Sequence, residues 1–316
     1  MPEKIRDIII IGGGIASHTA ALYTARAELQ PLVIAGVEPD QLSTTSLVEN
    51  YPGFPEGILG PELINNCKKQ AEKFGAKYIE KKADAIKKEG NNFQIIAGEE
   101  NYLTRTVIIN TGASPRTLGI EGEKKYWGKG VSTCATCDAT FYKNKTAAVI
   151  GGGDSAMEET IALSKFCTKV VVIHRRDEFR ASKIMQKRIL SLQKEGKVDI
   201  MYDTVPTEVL GDDKFVTGVK VKNVKTEEEK ELQADGFFLA IGHTPNTKFL
   251  GNLIDLDDHG YIKTNRNQHT NVEGIYSAGD VQDHIYKQAI TSAGTGCQCA
   301  LEVEKYIENL KNQGKY

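Results

Sequence analysis

The sequence predicts an α/β protein in which one kind of three-layer (ββα) domain occurs twice, the second copy inserted into the first. Three observations predict it. A strand-like run, a glycine triplet and a helical pattern follow one another in "DIIIIGGGIASHTAALYTARAEL" from Asp7 and again in "TAAVIGGGDSAMEETIALSKF" from Thr146. Each is answered further along by a strand that ends in a glycine turn, "VIINTGASPR" from Val107 and "GFFLAIGHTPN" from Gly236. Near the C-terminus, "GIYSAGDVQD" adds one more strand and glycine, which return the chain to the first copy.

The 316 residues leave room for two such domains at about 100–200 residues each. The expected spans are residues 1–116 with 247–316, and 117–246 between them. Both crossings, "SPRTLGIEGE" and "GHTPNTKF", carry the proline, glycine and polar residues of linkers. The opening run follows a charged "MPEKIRD" and breaks at glycines, so it reads as a buried strand and not as a signal peptide. No stretch approaches the roughly 20 apolar residues of a membrane span, and the expectation is a soluble, cytoplasmic protein. A formal net charge of -2 with scattered lysines gives no electrostatic footprint for nucleic acid. The charged "KTEEEKE" at 225–231 reads as a solvated hairpin or loop.

Glycines between strand and helix let a phosphate reach the backbone, where the helix N-terminus offers free N–H groups and its positive dipole end. Two copies in that context predict two Rossmann-like dinucleotide sites. The first has Gly12, Gly13 and Gly14, with Ser17 at the third fingerprint position. The second has Gly151, Gly152 and Gly153, followed by Ser155 and Ala156. At the end of the next strand such sites place an acid on the adenosine ribose, or basic groups where that ribose carries a 2′-phosphate. The second copy has His174, Arg175 and Arg176 there, then Arg180, and guanidinium forks suit a phosphate dianion. This copy is expected to bind NADPH. The first has Ala35 at the same place and so lacks both signals; Asp280, directly after a strand and a glycine, suits a ribitol hydroxyl and points to FAD.

Between the copies lies "GVSTCATCDATF", with Cys134 and Cys137 two residues apart. Zinc would need about four ligands, and neither the CxC at Cys297 and Cys299 nor the six histidines show metal spacing. Structural disulfides are rare in the cytosol, which favours a redox-active pair. Asp138 follows directly and is placed to shuttle a proton or to cap a turn. Cys67 and Cys167, in helical patterns, read as packing residues, as do Cys297 and Cys299 in preference to a second redox pair. Trp127 is open between packing at the domain junction and shielding a flavin.

Taken in order, "TTSLVENYPGF", "NTGASPR", "CATCD", "VIGGGDSAMEE", "IHRRDEFRASKI", "AIGHTPNT" and "AGDVQDHIYKQAITSAGTGC" resemble the low-molecular-weight thioredoxin reductases over essentially the whole chain. The resemblance implies a homodimeric flavoprotein that takes a hydride from NADPH to FAD, then reduces the Cys134–Cys137 disulfide, then an oxidised thioredoxin. It also implies a rotation of the inserted domain that brings NADPH or the dithiol to the flavin by turns. Cys137 becomes the sulfur beside the flavin, Cys134 the one that attacks the partner, and Asp138 the acid/base group. Gly12, Gly14, Gln41, Asn50, Ala83, Asp280, Lys287, Gln288 and Ala289 fall at the family's FAD positions. Gly151, Gly153, Ser155, His174, Arg175, Arg176 and Arg180 fall at its NADPH positions. The chain departs from the family at Asp40, in a shortened "PDQL" loop, and at Ser17, Ala139 and Lys287, all on the FAD side or beside the dithiol.

Three other readings stay open at the level of sequence. The same machinery could serve a glutaredoxin-like or peroxiredoxin-linked carrier. A dithiol oxidase would have no need of "HRRDEFR", and a zinc-binding or redox-sensing interaction protein would have no need of two cofactor sites.

Overall fold

The computed structural model describes residues 5–316. Its contacts divide the chain into two compact units: residues up to Ser114 with Thr244–Tyr316, and Pro115–His243.

In the first unit the central strand Arg6–Ile11 pairs in parallel with Leu32–Ile34 on one side and Glu100–Ile109 on the other. Lys77–Ile79 extends the sheet beyond Leu32–Ile34. The ten-residue strand Glu100–Ile109 serves two layers. Its first half pairs antiparallel with Asn92–Ala97, which pairs in turn with Ala85–Glu89. Its last residues, Val107–Ile109, pair in parallel with Ile275–Ser277.

Successive strand residues point to opposite faces, which explains the unbroken isoleucine run. Ile8 and Ile10 pack with Ala20, Val303 and Ile307, under helices Ile15–Arg26 and Ala289–Asn312. Ile9 and Ile11 face the other way, onto Ile86, Phe93 and Ile95 of the antiparallel layer. A strand covered on both faces has no polar side to show, so its sequence does not alternate. Ile8, Ile9 and Ile10 are fully buried, each worth about 1.5–3 kcal/mol.

The second unit repeats this plan. Its parallel sheet runs Val131–Ser132, Gly236–Leu239, Thr146–Ile150, Lys169–Ile173, Val198–Met201. Ala147, Val149, Val170 and Val172 pack under helices Asp154–Ser164 and Lys183–Lys194, through Met157, Met185 and Ile189. Ala148, Ile150, Val171 and Ile173 face Val209, Val219 and Val221 of an antiparallel meander, Thr204–Gly211, Val216–Asn223 and Glu229–Gln233. Both units are therefore Rossmann-like, with helices on one face of a parallel sheet and antiparallel strands on the other.

The charged stretch at 225–231 is the exposed turn and last strand of that meander. Trp127 packs half-buried against the apolar cluster of its own unit and bridges to Val131. Cys167 departs from expectation: it lies past the end of helix Asp154–Ser164, although it is buried and burial pushes its thiol up to about 11. Cys67 and Cys299 lie in helices, Cys67 half-buried and Cys299 fully buried. Cys297 is half-buried, in the first half of helix Ala289–Asn312. Among the described residues no helix is long and apolar enough to cross a membrane.

Candidate active site

The dithiol sits where a short strand runs into a single helical turn. Strand Val131–Ser132 is followed by Thr133 and then by an extended Cys134 (φ -145°, ψ 97°), the N-cap of helix Ala135–Asp138. Cys134 and Cys137 are joined as a disulfide, Cα to Cα 5.3 Å. Three N–H groups of the turn have hydrogen-bond partners. The Cys137 N–H donates to Cys134 Sγ at 3.2 Å, and the Cys134 N–H donates to Ser132 Oγ at 3.1 Å. The Ala135 N–H donates to the Glu159 carboxylate, which reaches across from helix Asp154–Ser164. A sulfur that accepts an N–H at a helix N-terminus is favoured as a thiolate.

Burial pushes the Asp138 carboxyl above the usual carboxylate range, partly offset by a hydrogen bond from Ser132. A carboxyl so placed can hold a proton nearer neutrality than a solvated one. Ala139, at the family's glycine position, has ordinary helical backbone (φ -56°, ψ -30°) and is buried among the unit's apolar residues. The turn does not need glycine there.

In the same unit the glycine triplet turns tightly into helix Asp154–Ser164. Gly151 has φ 151°, and a Cβ on it would lie 2.5 Å from the Ala240 carbonyl oxygen and 2.8 Å from the Ala156 Cβ. A Cβ on Gly152 would lie 2.2–2.7 Å from atoms of the His174 ring. Gly153 is the extended N-cap, with no side-chain cap, and has nothing within 4 Å of the Cβ position. Open space thus lies over the helix N-terminus, with Ser155 exposed in its first turn. This suits a phosphate group.

The segment after strand Lys169–Ile173 folds back onto that turn. The Arg180 and Ala181 N–H groups both donate to the Gly152 carbonyl, at 2.8 and 3.1 Å. His174 is buried against Gly152, and its Nε2–H donates to the Glu178 carbonyl at 2.9 Å. Burial holds its pKa below the usual value, so the ring is neutral and acts as a brace for the segment. Arg175, Arg176 and Arg180 are exposed around it.

The first unit builds its counterpart from chain far apart in sequence. A Cβ on Gly12 (φ 130°) would lie 2.1 Å from the Asn110 carbonyl, and one on Gly13 2.4 Å from the Ala35 carbonyl. Gly14 is the extended, uncapped start of helix Ile15–Arg26, and only Asp40 comes near its Cβ position, at 3.9 Å. The Gly36 N–H donates to the Lys81 carbonyl, which brings buried Ala83 to the end of strand Leu32–Ile34. Asp280 accepts from Ser292 Oγ at 2.9 Å, and burial pushes its carboxyl up. The Gly279 N–H donates to Thr295 Oγ1 at 3.0 Å, so the long C-terminal helix fixes the Asp280 turn.

The remaining positions gather around these. Gln288 is the N-cap of the C-terminal helix, in a capping box with Thr291, and Ala289 is its first residue. Asn50 Nδ2 donates to Gln288 Oε1 at 3.3 Å, and Gln41 Nε2 to the Ala113 carbonyl at 2.9 Å. Lys287 has φ 49°, and its N–H donates to Asp283. In the shortened loop, Asp40 accepts the Leu42 and Ser43 N–H groups at 3.0 and 3.2 Å, together with the Ser43 hydroxyl. Among the described residues, buried Ser17 Oγ and Asn110 Nδ2 have no hydrogen-bond partner beside the glycine turn, a position that suits a polar ligand.

Ser132, Glu159, Asn110 and Ser292 lie inside the quoted motifs, but no pattern in the sequence singles them out, and their roles are reached only through the fold. Glu159 alone left a trace: it lies four residues after Ser155, hence on the same helix face.

Two nucleotide cradles and a CxxC disulfide on one chain define a nucleotide-linked disulfide oxidoreductase. The model of the pyridine nucleotide-disulphide oxidoreductase family matches residues 6–296. Thioredoxin reductase of Mycolicibacterium smegmatis is 45% identical over 307 residues, 96% of this chain and 97% of its own. The crystal structure of thioredoxin reductase from Streptococcus pyogenes aligns with TM-score 0.92 at 38% identity, over 96% of this chain and 99% of its own. Thioredoxin reductase from Giardia duodenalis aligns with TM-score 0.91 at 40% identity, over 97% of this chain and 100% of its own. The chain belongs to the pyridine nucleotide-disulphide oxidoreductases and, within them, to the thioredoxin reductases.

Proposed function

We propose that this enzyme reduces the disulfide of a thioredoxin with electrons from NADPH, through FAD and the Cys134–Cys137 pair. The observation that carries the reading is the disulfide itself. It stands at a helix N-terminus, with a half-buried carboxyl one residue on, in a unit where helix Asp154–Ser164 opens at an arginine-flanked cradle.

Residues 117–246 would hold NADPH. Gly151 and Gly153 admit the pyrophosphate to the N-terminus of helix Asp154–Ser164, Ser155 adds a hydroxyl, and Arg175, Arg176 and Arg180 take the 2′-phosphate. His174 braces that segment from beneath. Residues 1–116 and 247–316 would hold FAD, with Gly12 and Gly14 at the pyrophosphate and Ala83 near the adenosine. Asp280 and Gln288–Ala289 would lie toward the flavin end, with Gln41, Asn50 and Lys287 around them. Ser17 Oγ and Asn110 Nδ2 support this fit, as orphaned polar atoms under the phosphate path. Bound FAD would supply two-electron transfer between NADPH and the disulfide.

The chain's own residues do the rest. Cys134, whose sulfur accepts the Cys137 N–H, is the sulfur better kept as a thiolate for exchange with the partner. Asp138 keeps a proton within reach of the pair as S–S bonds break and form. A cytoplasmic homodimer is part of the same proposal, and its support is the family resemblance of the sequence motifs.

Turnover with NADPH and a purified thioredoxin, set against a glutaredoxin-like carrier, tests the reading. Thioredoxin is expected to be the faster substrate by orders of magnitude, and no turnover with any thioredoxin would reject it.

A further inference from the structure

The one-turn dithiol helix has an unusual N-terminus, because it is capped twice. Its own Cys134 Sγ takes the N–H of Cys137, two residues into the turn. The first N–H, that of Ala135, goes to the carboxylate of Glu159, which belongs to a different helix and lies 24 residues on. That helix, Asp154–Ser164, starts at the glycine cradle, so one rigid rod carries the cradle at its tip and the dithiol's cap on its side.

The two caps oppose each other electrostatically. Backbone N–H groups at a helix start favour an anionic sulfur. A carboxylate that occupies one of them removes that donor from the sulfur and adds a negative charge beside it, which disfavours the thiolate. Reduction breaks the S–S bond with two electrons and, once one proton is taken up, leaves one thiol and one thiolate. The neutral disulfide feels the added charge least, so a nearby carboxylate stabilises the oxidised side of the couple. The other titratable groups on the elements packed here are Asp138 on the pair's own helix, with Tyr142 beyond it, Asp154, which is turned to Ser182, and exposed Glu158.

We propose that Glu159 is a positioning residue of the redox pair: its carboxylate fixes the N-terminus of the dithiol helix and makes the Cys134–Cys137 couple more strongly reducing. The inference rests on the pair being redox-active, as proposed above, but not on the identity of its partner. A like charge this close is worth about one to three pKa units, and the partial exposure of Glu159 puts the effect at the lower end, about tenfold. For a two-electron couple tenfold is about 30 mV.

The test equilibrates the flavin-loaded enzyme anaerobically in dithiothreitol redox buffers at pH 7 and traps the thiols by alkylation, with Cys134 and Cys137 read by peptide mass spectrometry. Glu159→Gln keeps an acceptor for the Ala135 N–H but loses the charge. Its midpoint should move about 30 mV less negative, and the pH at which the reduced pair is half-maximally alkylated should fall by about one unit. Glu159→Ala, a second neutral variant, should shift in the same direction and serves if the glutamine variant folds poorly. Glu159→Asp, which keeps the charge, should move the midpoint less than either. Neutral variants with the wild-type midpoint and alkylation profile, or an aspartate variant that moves as far as glutamine, would overturn the proposal. Because neither NADPH nor thioredoxin enters the measurement, failure of thioredoxin turnover would count against the proposed function and leave this result standing.

Discussion

Replacing both Arg175 and Arg176 with alanine should abolish the enzyme's preference for NADPH over NADH. Both side chains are exposed beside the cradle. The backbone beneath them is held by other groups: His174 Nε2 on the Glu178 carbonyl, and the Arg180 and Ala181 N–H groups on Gly152. Removing the two guanidinium groups therefore leaves the segment in place and deletes only charge and donors. A hydrogen bond to a charged group is worth about 1.5–3 kcal/mol, and exposed groups sit at the low end. Two losses of about 1.5 kcal/mol amount to roughly a hundredfold in kcat/KM for NADPH. NADH has no 2′-phosphate, so its kcat/KM should hold within about threefold. Steady-state turnover with thioredoxin, run with each nucleotide at low and high salt, provides the measurement. Loss of the NADPH advantage should be largest at low ionic strength. A double variant that keeps the wild-type NADPH to NADH ratio would refute the assignment of these arginines.

Three further outcomes are expected. Gly152→Ala would drive a Cβ into the His174 ring, so it should lower stability by about 1–3 kcal/mol in urea melts and raise the KM for NADPH; an unchanged midpoint and KM would show that the ring can give way. Asp138 has a folded pKa raised above its unfolded value, so its contribution is greatest at low pH and is lost as pH rises to that folded value. Asp138→Asn should accordingly melt higher than the parent at pH 7, not at pH 3.5, while turnover falls at least tenfold; a lower melting point at pH 7 would contradict the burial argument. His18 is buried, donating or accepting at Tyr78 Oη, and burial lowers its pKa to about 4. The unfolded chain takes up the proton first, so stability present above pH 6.5 is lost toward pH 4, by about 3 kcal/mol for this group. His18→Gln should flatten that part of the stability profile, and an unaltered slope would place the acid sensitivity elsewhere.

The sheets and turns were legible because they depend on local chemistry. An isoleucine run with both faces covered reads as a strand, and the glycines at 12–14 and 151–153 announce themselves because a Cβ at Gly12, Gly13, Gly151 or Gly152 would strike backbone or a ring. Chain order alone suggested that the second copy interrupts the first. Contacts that bridge distant segments were not legible: nothing near Cys134 in sequence says that Glu159 will cap its helix, or that Ser292 will hold Asp280. The departures at Asp40 and Ala139 also needed the structure. Asp40 shows how a loop without its glycines is rebuilt, as a side-chain cap on two N–H groups. Ala139 shows that glycine is dispensable where the backbone is already helical. Cys167 lies in a helical pattern that runs on in the sequence past Ser164, the last helical residue, an end that periodicity does not mark.

The central claim is the electron route, and anaerobic titration of the purified enzyme with NADPH, followed at the flavin band, tests it most directly. In the parent protein NADPH should bleach the flavin absorbance, and oxidised thioredoxin should then restore it. Cys134→Ser should still bleach with NADPH but fail to pass electrons to thioredoxin. A colourless protein, a flavin that NADPH leaves oxidised, or a Cys134→Ser enzyme that still reduces thioredoxin would contradict the account.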